Sequence, residues 1–245
     1  MRFSQKVLPF LALSAVLIVA MVGCASEETE EPAGESAAKQ AEQVAETATE
    51  ETGEAVKAEL TIIPDGKSER KTMEVGYLPP GRKIATMETT KGTITIELWE
   101  DVAPNTVRNF VHLANTGRYD NTVFHRVMGG FMAQGGDVAH MQGRGGPGYS
   151  IPDEFDPTIE HTRGVISMAH SSAPNSAGSQ FFIMFGDATH LDGKYAAFGK
   201  VIEGMEVVDS LKKAPPSSRS GVVEDPDKIV KVRVESVPET EETGE

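Results

Sequence analysis

The sequence predicts a mainly β domain, a barrel or sandwich capped by two helices. Three observations lead there. Thr93-Ile94-Thr95-Ile96-Glu97-Leu98 alternates polar and apolar residues with period two, and Val230, Val232 and Val234 alternate with charged residues in the same way, the mark of half-buried strands. Phe181-Phe182-Ile183-Met184-Phe185 is an unbroken apolar run, which reads as a strand covered on both faces. Strand and helix patterns do not alternate along the chain, so a doubly wound α/β sheet is disfavoured. No internal repeat is visible.

The chain opens on an address. Arg2 and Lys6 precede an uncharged run from Val7 to Val22, and Gly23-Cys24-Ala25 follows. A basic start, a short apolar core and small residues at the exit describe an export signal over residues 1–23. The run falls short of the roughly 20 residues that span a bilayer comfortably. Met21-Val22-Gly23-Cys24 resembles a bacterial lipobox, with methionine in place of the usual leucine. The resemblance implies a lipid on Cys24 and an extracytoplasmic protein anchored to a bacterial membrane. The other reading is an uncleaved anchor with an idle thiol. Cys24 is the only cysteine, so no intrachain disulfide can form.

Residues 24–57 are rich in Glu, Ala and Thr and hold no aromatic side chain. Such a stretch buries too little apolar surface to offset chain entropy and is expected to be an acidic, disordered tether. Residues 58–82 are an extra segment of unassigned role: Leu60-Thr61-Ile62-Ile63 suggests a short strand and Pro64-Asp65-Gly66-Lys67 a turn. Residues 83–237 form the expected domain, and 238–245 an acidic tail. Within the domain, Pro104 to about Asn115 places Val107, Phe110, Val111 and Ala114 on one helical face, with Gly117 as a stop. Ala196 to Ile202 reads as a strand, and Met205 to Leu211 as a second helix with Val207, Val208 and Leu211 on its apolar side.

Several chemistries are excluded. The net charge of −14 repels phosphates, so no nucleic acid is expected. No Gly-x-Ser-x-Gly turn presents a nucleophilic serine, and no His-Glu-x-x-His or clustered His and Cys marks a metal site. Gly143 to Gly148 matches Gly-x-Gly-x-x-Gly literally, but Pro147 and Pro152 forbid the helix that a dinucleotide site needs after it. That stretch is read as a flexible surface loop.

Three segments carry the functional signal: Phe124-His125-Arg126 through Phe131-Met132-Ala133-Gln134-Gly135-Gly136-Asp137, then Gly178-Ser179-Gln180-Phe181-Phe182-Ile183, then Leu191-Asp192-Gly193-Lys194-Tyr195 through Phe198-Gly199-Lys200-Val201. In this order and spacing they resemble the cyclophilin family of peptidyl-prolyl cis-trans isomerases over roughly Lys83 to Val237. The resemblance implies a closed eight-stranded antiparallel β-barrel with a helix at each end, and no metal, cofactor or covalent intermediate. It also implies that X–Pro segments of unfolded or exported proteins are the partners. A monomer is expected.

The resemblance assigns Arg126 as the catalytic group. Phe131, Met132, Phe182 and Leu191 would form the proline pocket, and Gln134 and Gln180 would position the peptide backbone. Ala169 and His170 would line the adjoining groove. His170, His190 and Tyr195 stand where the best-known eukaryotic members carry asparagine, tryptophan and histidine. Loss of the indole donor at position 190 implies weaker cyclosporin inhibition. His125 is read as a packing residue. The functional alternative is a proline-peptide binding module or holdase with incidental turnover, and retention of Arg126 beside a complete pocket favours the enzyme.

Overall fold

The computed structural model describes residues 56–140, 143 and 145–238. The leader, Cys24, the tether up to residue 55 and the tail from residue 239 lie outside the described residues. The strands are β1 (Val56–Pro64), β2 (Lys71–Tyr77), β3 (Arg82–Thr89), β4 (Gly92–Leu98), β5 (Arg126–Met128), β6 (Met132–Gly135), β7 (Tyr149–Ser150), β8 (Val165–Met168), β9 (Phe181–Met184), β10 (Ala197–Glu203) and β11 (Ile229–Val237). Helix α1 is Pro104–Asn115 and α2 is Met205–Ser210. Eight strands form one antiparallel sheet in the order β11-β3-β4-β10-β8-β9-β6-β5, and β2-β1-β7 form a second.

Alternation positions the core as expected. Ile94, Ile96 and Leu98 point into it while Thr95 and Glu97 are half-buried on the other face. Val230 departs from the pattern and is 43% exposed. The register shifts between Ile229 and Lys231, a bulge that turns Ile229 inward in its place.

The sheet is not the closed barrel that was expected. Its edge strands β5 and β11 do not pair with each other. The gap is crossed by single bridges, Val123 to Lys228 and Arg126 to Val222, with Val127 N–H donating to Gly221 O at 2.9 Å. A continuous ladder fails because Asp225 takes a left-handed φ of 50° and Pro226 has no N–H to give.

Helix α1 plugs the inner face. Val107, Phe110, Val111 and Ala114 are buried there as their spacing predicts. Phe110 meets Tyr119, Phe181 and Phe198 at ring distances of 5.1, 5.7 and 5.2 Å. Its N-terminus lacks a local cap. Glu154, far along the chain, accepts instead from Asn105 N at 3.0 Å and Thr106 N at 2.7 Å, which satisfies two orphan donors and places a negative charge at the positive end.

The segment of unassigned role is a β-hairpin packed on the domain. It begins at Val56, so Val56 and Lys57 are strand residues. Leu60, Val75 and Tyr77 are buried, and Asn105 of α1 exchanges hydrogen bonds of 2.8 and 2.9 Å with the Thr61 backbone. Lys83 fixes the joint. It is only 2% exposed, and its ammonium donates to the carbonyls of Pro79 and Gly81 at 2.7 and 2.8 Å, with Glu100 3.7 Å away.

Candidate functional site

The site lies on the outer face of the large sheet, where β5, β6, β9 and β8 run side by side. Register puts Arg126 opposite Gln134, Gln134 opposite Phe182, and Phe182 opposite Ser167. Residues directly opposed in a ladder share a face, so the four form one row. One step along, Met128, Met132 and Met184 form a parallel row. The apolar run of β9 is thereby divided. Phe181 and Ile183 join the main core, whereas Phe182 and Met184 join a second cluster with Met132, Leu191 and Ala197.

That second cluster floors a cavity of about 370 Å³. Phe131, Met132, Phe182 and Leu191 supply its apolar wall, and Arg126, Gln134, Ala169, His170, His190 and Tyr195 its rim. Tyr195 stands edge-on to Phe182 at 5.4 Å. His190 is exposed and lies flat against Phe131 at 5.9 Å. Beside this cavity is a second, of about 340 Å³, which shares Gln134, Ala169 and His170 and adds Gln180, Ser171 and Ser176. Every site residue expected from the sequence within the described chain is therefore brought to these two adjoining cavities, with Gln180 in the second alone.

A relay of hydrogen bonds holds the polar edge. Arg126 Nε donates to Ser220 O at 2.9 Å, fixing the guanidinium plane. Its Nη1 donates to Gln134 Oε1 at 3.2 Å. Gln134 Nε2 donates to Gln180 Oε1 at 3.0 Å, and Gln180 Nε2 to Gly145 O at 2.9 Å. Nη2 has only the thioether of Met128, at 3.1 Å, a weak acceptor, so this donor is the one most readily turned to a ligand carbonyl. Burial lowers the Arg126 pKa, with Tyr195 opposing, yet a guanidinium remains a cation at neutral pH.

A hydrogen-bonded set that the sequence did not assemble lies under the pocket. Buried His161 places Nδ1 2.9 Å from Asp192 Oδ1 and Nε2 2.9 Å from Ser167 Oγ. Its ring lies flat beneath Phe182 at 6.3 Å. The set has the composition of a hydrolytic triad, but Ser167 is wholly buried and no substrate carbonyl can reach it. It supports the pocket floor. Asp192 falls inside the third motif, but its spacing to positions 161 and 167 is not telling, so the sequence does not join the three.

Two glycines of the stretch expected to be a surface loop border the site. Gly143 and Gly145 line the second cavity. An added Cβ at Gly145 would lie 2.5 Å from Asp137 Oδ1, while its N–H donates to Asp137 Oδ2 at 3.0 Å. Among the described residues no group of three or more His, Cys, Asp or Glu is placed to hold a metal.

The family model for cyclophilin type peptidyl-prolyl cis-trans isomerase/CLD matches residues 84–234. The chain belongs to the cyclophilin-type peptidyl-prolyl cis-trans isomerase family. A probable peptidyl-prolyl cis-trans isomerase of Brucella suis is 43% identical over 158 residues, which are 59% of this chain and 79% of that one. A peptidyl-prolyl cis-trans isomerase of Synechococcus elongatus is 48% identical over 130 residues, 52% of this chain and 88% of its own. Among solved structures, a Cryptosporidium parvum cyclophilin superposes with a TM-score of 0.57 at 34% identity, covering 64% of this chain and 99% of its own. The same Cryptosporidium protein was crystallised in the presence of the dipeptide Ala-Pro. The hairpin Val56–Tyr77 falls outside the matched span, so it is an addition to the cyclophilin domain.

Proposed function

We propose that this cyclophilin turns X–Pro bonds of exported chains outside the cytoplasm, held near the membrane by a lipid on Cys24 and acting as a monomer. The observation that carries the isomerase reading is a fixed cation, Arg126, at the edge of a cavity walled by Phe131, Met132, Phe182 and Leu191. The X–Pro amide rotates slowly because of its partial double bond. Twisting the amide localises the lone pair on the proline nitrogen. A guanidinium that donates near that nitrogen stabilises the twisted state more than either planar form, which is what lowers the barrier. The pocket of Phe131, Met132, Phe182 and Leu191 holds the proline ring, and Gln134 and Gln180 hold the flanking backbone. No nucleophile is needed. Export and anchoring are supported by the basic, apolar and small-residue order of the leader and by Cys24 at its exit.

The test is protease-coupled isomerisation of an X–Pro peptide by the wild-type protein and by Arg126→Ala. The substitution removes charge-assisted hydrogen bonds worth about 1.5–3 kcal/mol each, so catalytic efficiency falls tenfold to a hundredfold or more. Full activity in a folded Arg126→Ala protein refutes the role of Arg126. A folded wild type that binds proline peptides without turnover makes the protein a binding module. Palmitate labelling in bacterial cells, lost in Cys24→Ala, tests the anchor.

A further inference from the structure

The two cavities meet at His170, and its surroundings differ from those of His161. His170 is half-buried. Its Nδ1 is 2.6 Å from Ser171 O and its Nε2 is 2.8 Å from Lys194 O. Both neighbours are backbone carbonyls, which only accept. A neutral imidazole carries one N–H and one lone pair, so one of the two contacts would set lone pair against lone pair. The imidazolium alone satisfies both. Tyr195 packs against the ring at 4.5 Å and Phe155 at 5.6 Å, and aromatic faces favour a cation. His161, with a carboxylate on one side and a hydroxyl on the other, is satisfied as the neutral ring.

Among the described residues no hydrogen bond joins a carboxylate to the His170 ring. The turn at 171–176 carries no charged side chain and lines the second cavity with Ser171 and Ser176. From the segment after the pocket come Tyr195, exposed His190, and Lys194, whose ammonium is held on His190 O at 2.9 Å. Across the groove stand Arg126 and Gln134. Nearby carboxylates keep their charge but direct their hydrogen bonds elsewhere: Asp192 to His161, Asp153 to Asn175 N at 2.7 Å, Glu154 to the start of α1, and Asp156 to Thr158. Among the described residues no Asp or Glu lines either cavity, although the chain as a whole carries −14.

We propose that His170, as an imidazolium pinned between two carbonyls, makes this groove select X–Pro segments with an acidic side chain beside the proline. Arg126 does the turning and His170 sets the preference. The inference rests on the isomerase reading above and deepens it by naming the substrate class. Both ring nitrogens are occupied by the protein, so the ring offers its charge rather than a hydrogen bond, and the discrimination is electrostatic.

The test uses the full chain in mild detergent with matched peptides carrying Glu, Gln or Lys before the proline. Catalytic efficiencies are compared at about pH 6, where glutamate is ionised. Glu–Pro turns over about threefold to tenfold faster than Gln–Pro, and Lys–Pro slower, as suits one partly screened charge. His170→Asn brings the ratio close to one, and His170→Lys keeps the Glu preference. Should His170→Asn fail to fold, His170→Gln takes its place. A preference that survives loss of the imidazole at position 170, or that vanishes in His190→Asn, overturns the proposal. Equal turnover of Glu–Pro and Gln–Pro overturns it while leaving the isomerase reading intact. No turnover of any peptide removes both.

Discussion

The two faces of the large sheet are built from the same residue types and do different work. On the inner face Phe181 and Ile183 pack with Phe110, Tyr119 and Phe198 around α1. On the outer face Phe182 and Met184, their alternating neighbours on β9, pack with Met132 and Leu191. The inner cluster is closed over by the helix. The outer one is left open to a cavity, with Arg126 at its edge. Burial alone does not separate them, since Phe182 is only 5% exposed. What separates them is whether the covering layer is protein or ligand.

Adjacent substitutions on β9 break the comparison most directly. Phe181→Ala opens a hole in a closed core and costs about 3–5 kcal/mol of stability, read by urea unfolding. Activity per folded molecule changes little. Phe182→Ala enlarges an existing cavity. It costs about 1.5–3 kcal/mol of lost apolar contact, but the deficit falls on proline binding as well, so catalytic efficiency drops about tenfold or more. Equal losses of activity in the two folded variants would show that the faces are not separate.

The buried polar set under the outer face sharpens the comparison at smaller scale. His161→Leu leaves the buried Ser167 hydroxyl without its ring partner, at about 1–3 kcal/mol for a buried group left unsatisfied, while Asp192 keeps the backbone N–H of residue 161. Phe182 loses the flat ring beneath it, so catalytic efficiency falls by a few-fold beyond what the stability loss explains. Unchanged activity in the folded variant would reduce His161 to a core residue.

Much of this division was legible only in part. The alternation of Thr93 to Leu98 assigned a face to every residue of β4 because one side of that strand is polar. Phe181 to Phe185 has no polar side, so its period is invisible and the sorting into two clusters needs the neighbours on β6 and β8. The long motifs placed Arg126, Gln134 and Phe182 together without geometry, through resemblance. Strands β5 to β8 have two to four residues each, too few to show any period. Leu60 and the turn at Pro64 marked one arm of the hairpin. Its return strand escaped, since Lys71, Thr72 and Glu74 are solvent-facing and only Val75 and Tyr77 are buried. Closure of the barrel was expected from the family, and Asp225 with Pro226 prevents a continuous ladder across the seam.

The smallest expected effect concerns pH and a residue beside the seam. His125 precedes β5 and is 7% exposed, and burial lowers its pKa, with Asp137 partly opposing. A depressed value means that the folded protein holds the neutral ring at pH values where the unfolded chain has already taken a proton. Stability from this residue is therefore complete above the ordinary histidine value of roughly 6.5. It declines as pH falls below that value, with a limiting slope of about 1.4 kcal/mol per pH unit for one proton. His112, lowered by burial and by Arg118, acts in the same direction, so His125→Asn flattens the dependence without abolishing it. Urea midpoints between about pH 7 and pH 5, where histidine titrates, measure this. A stability that rises as the pH falls would reverse the sign and place a cation at His125.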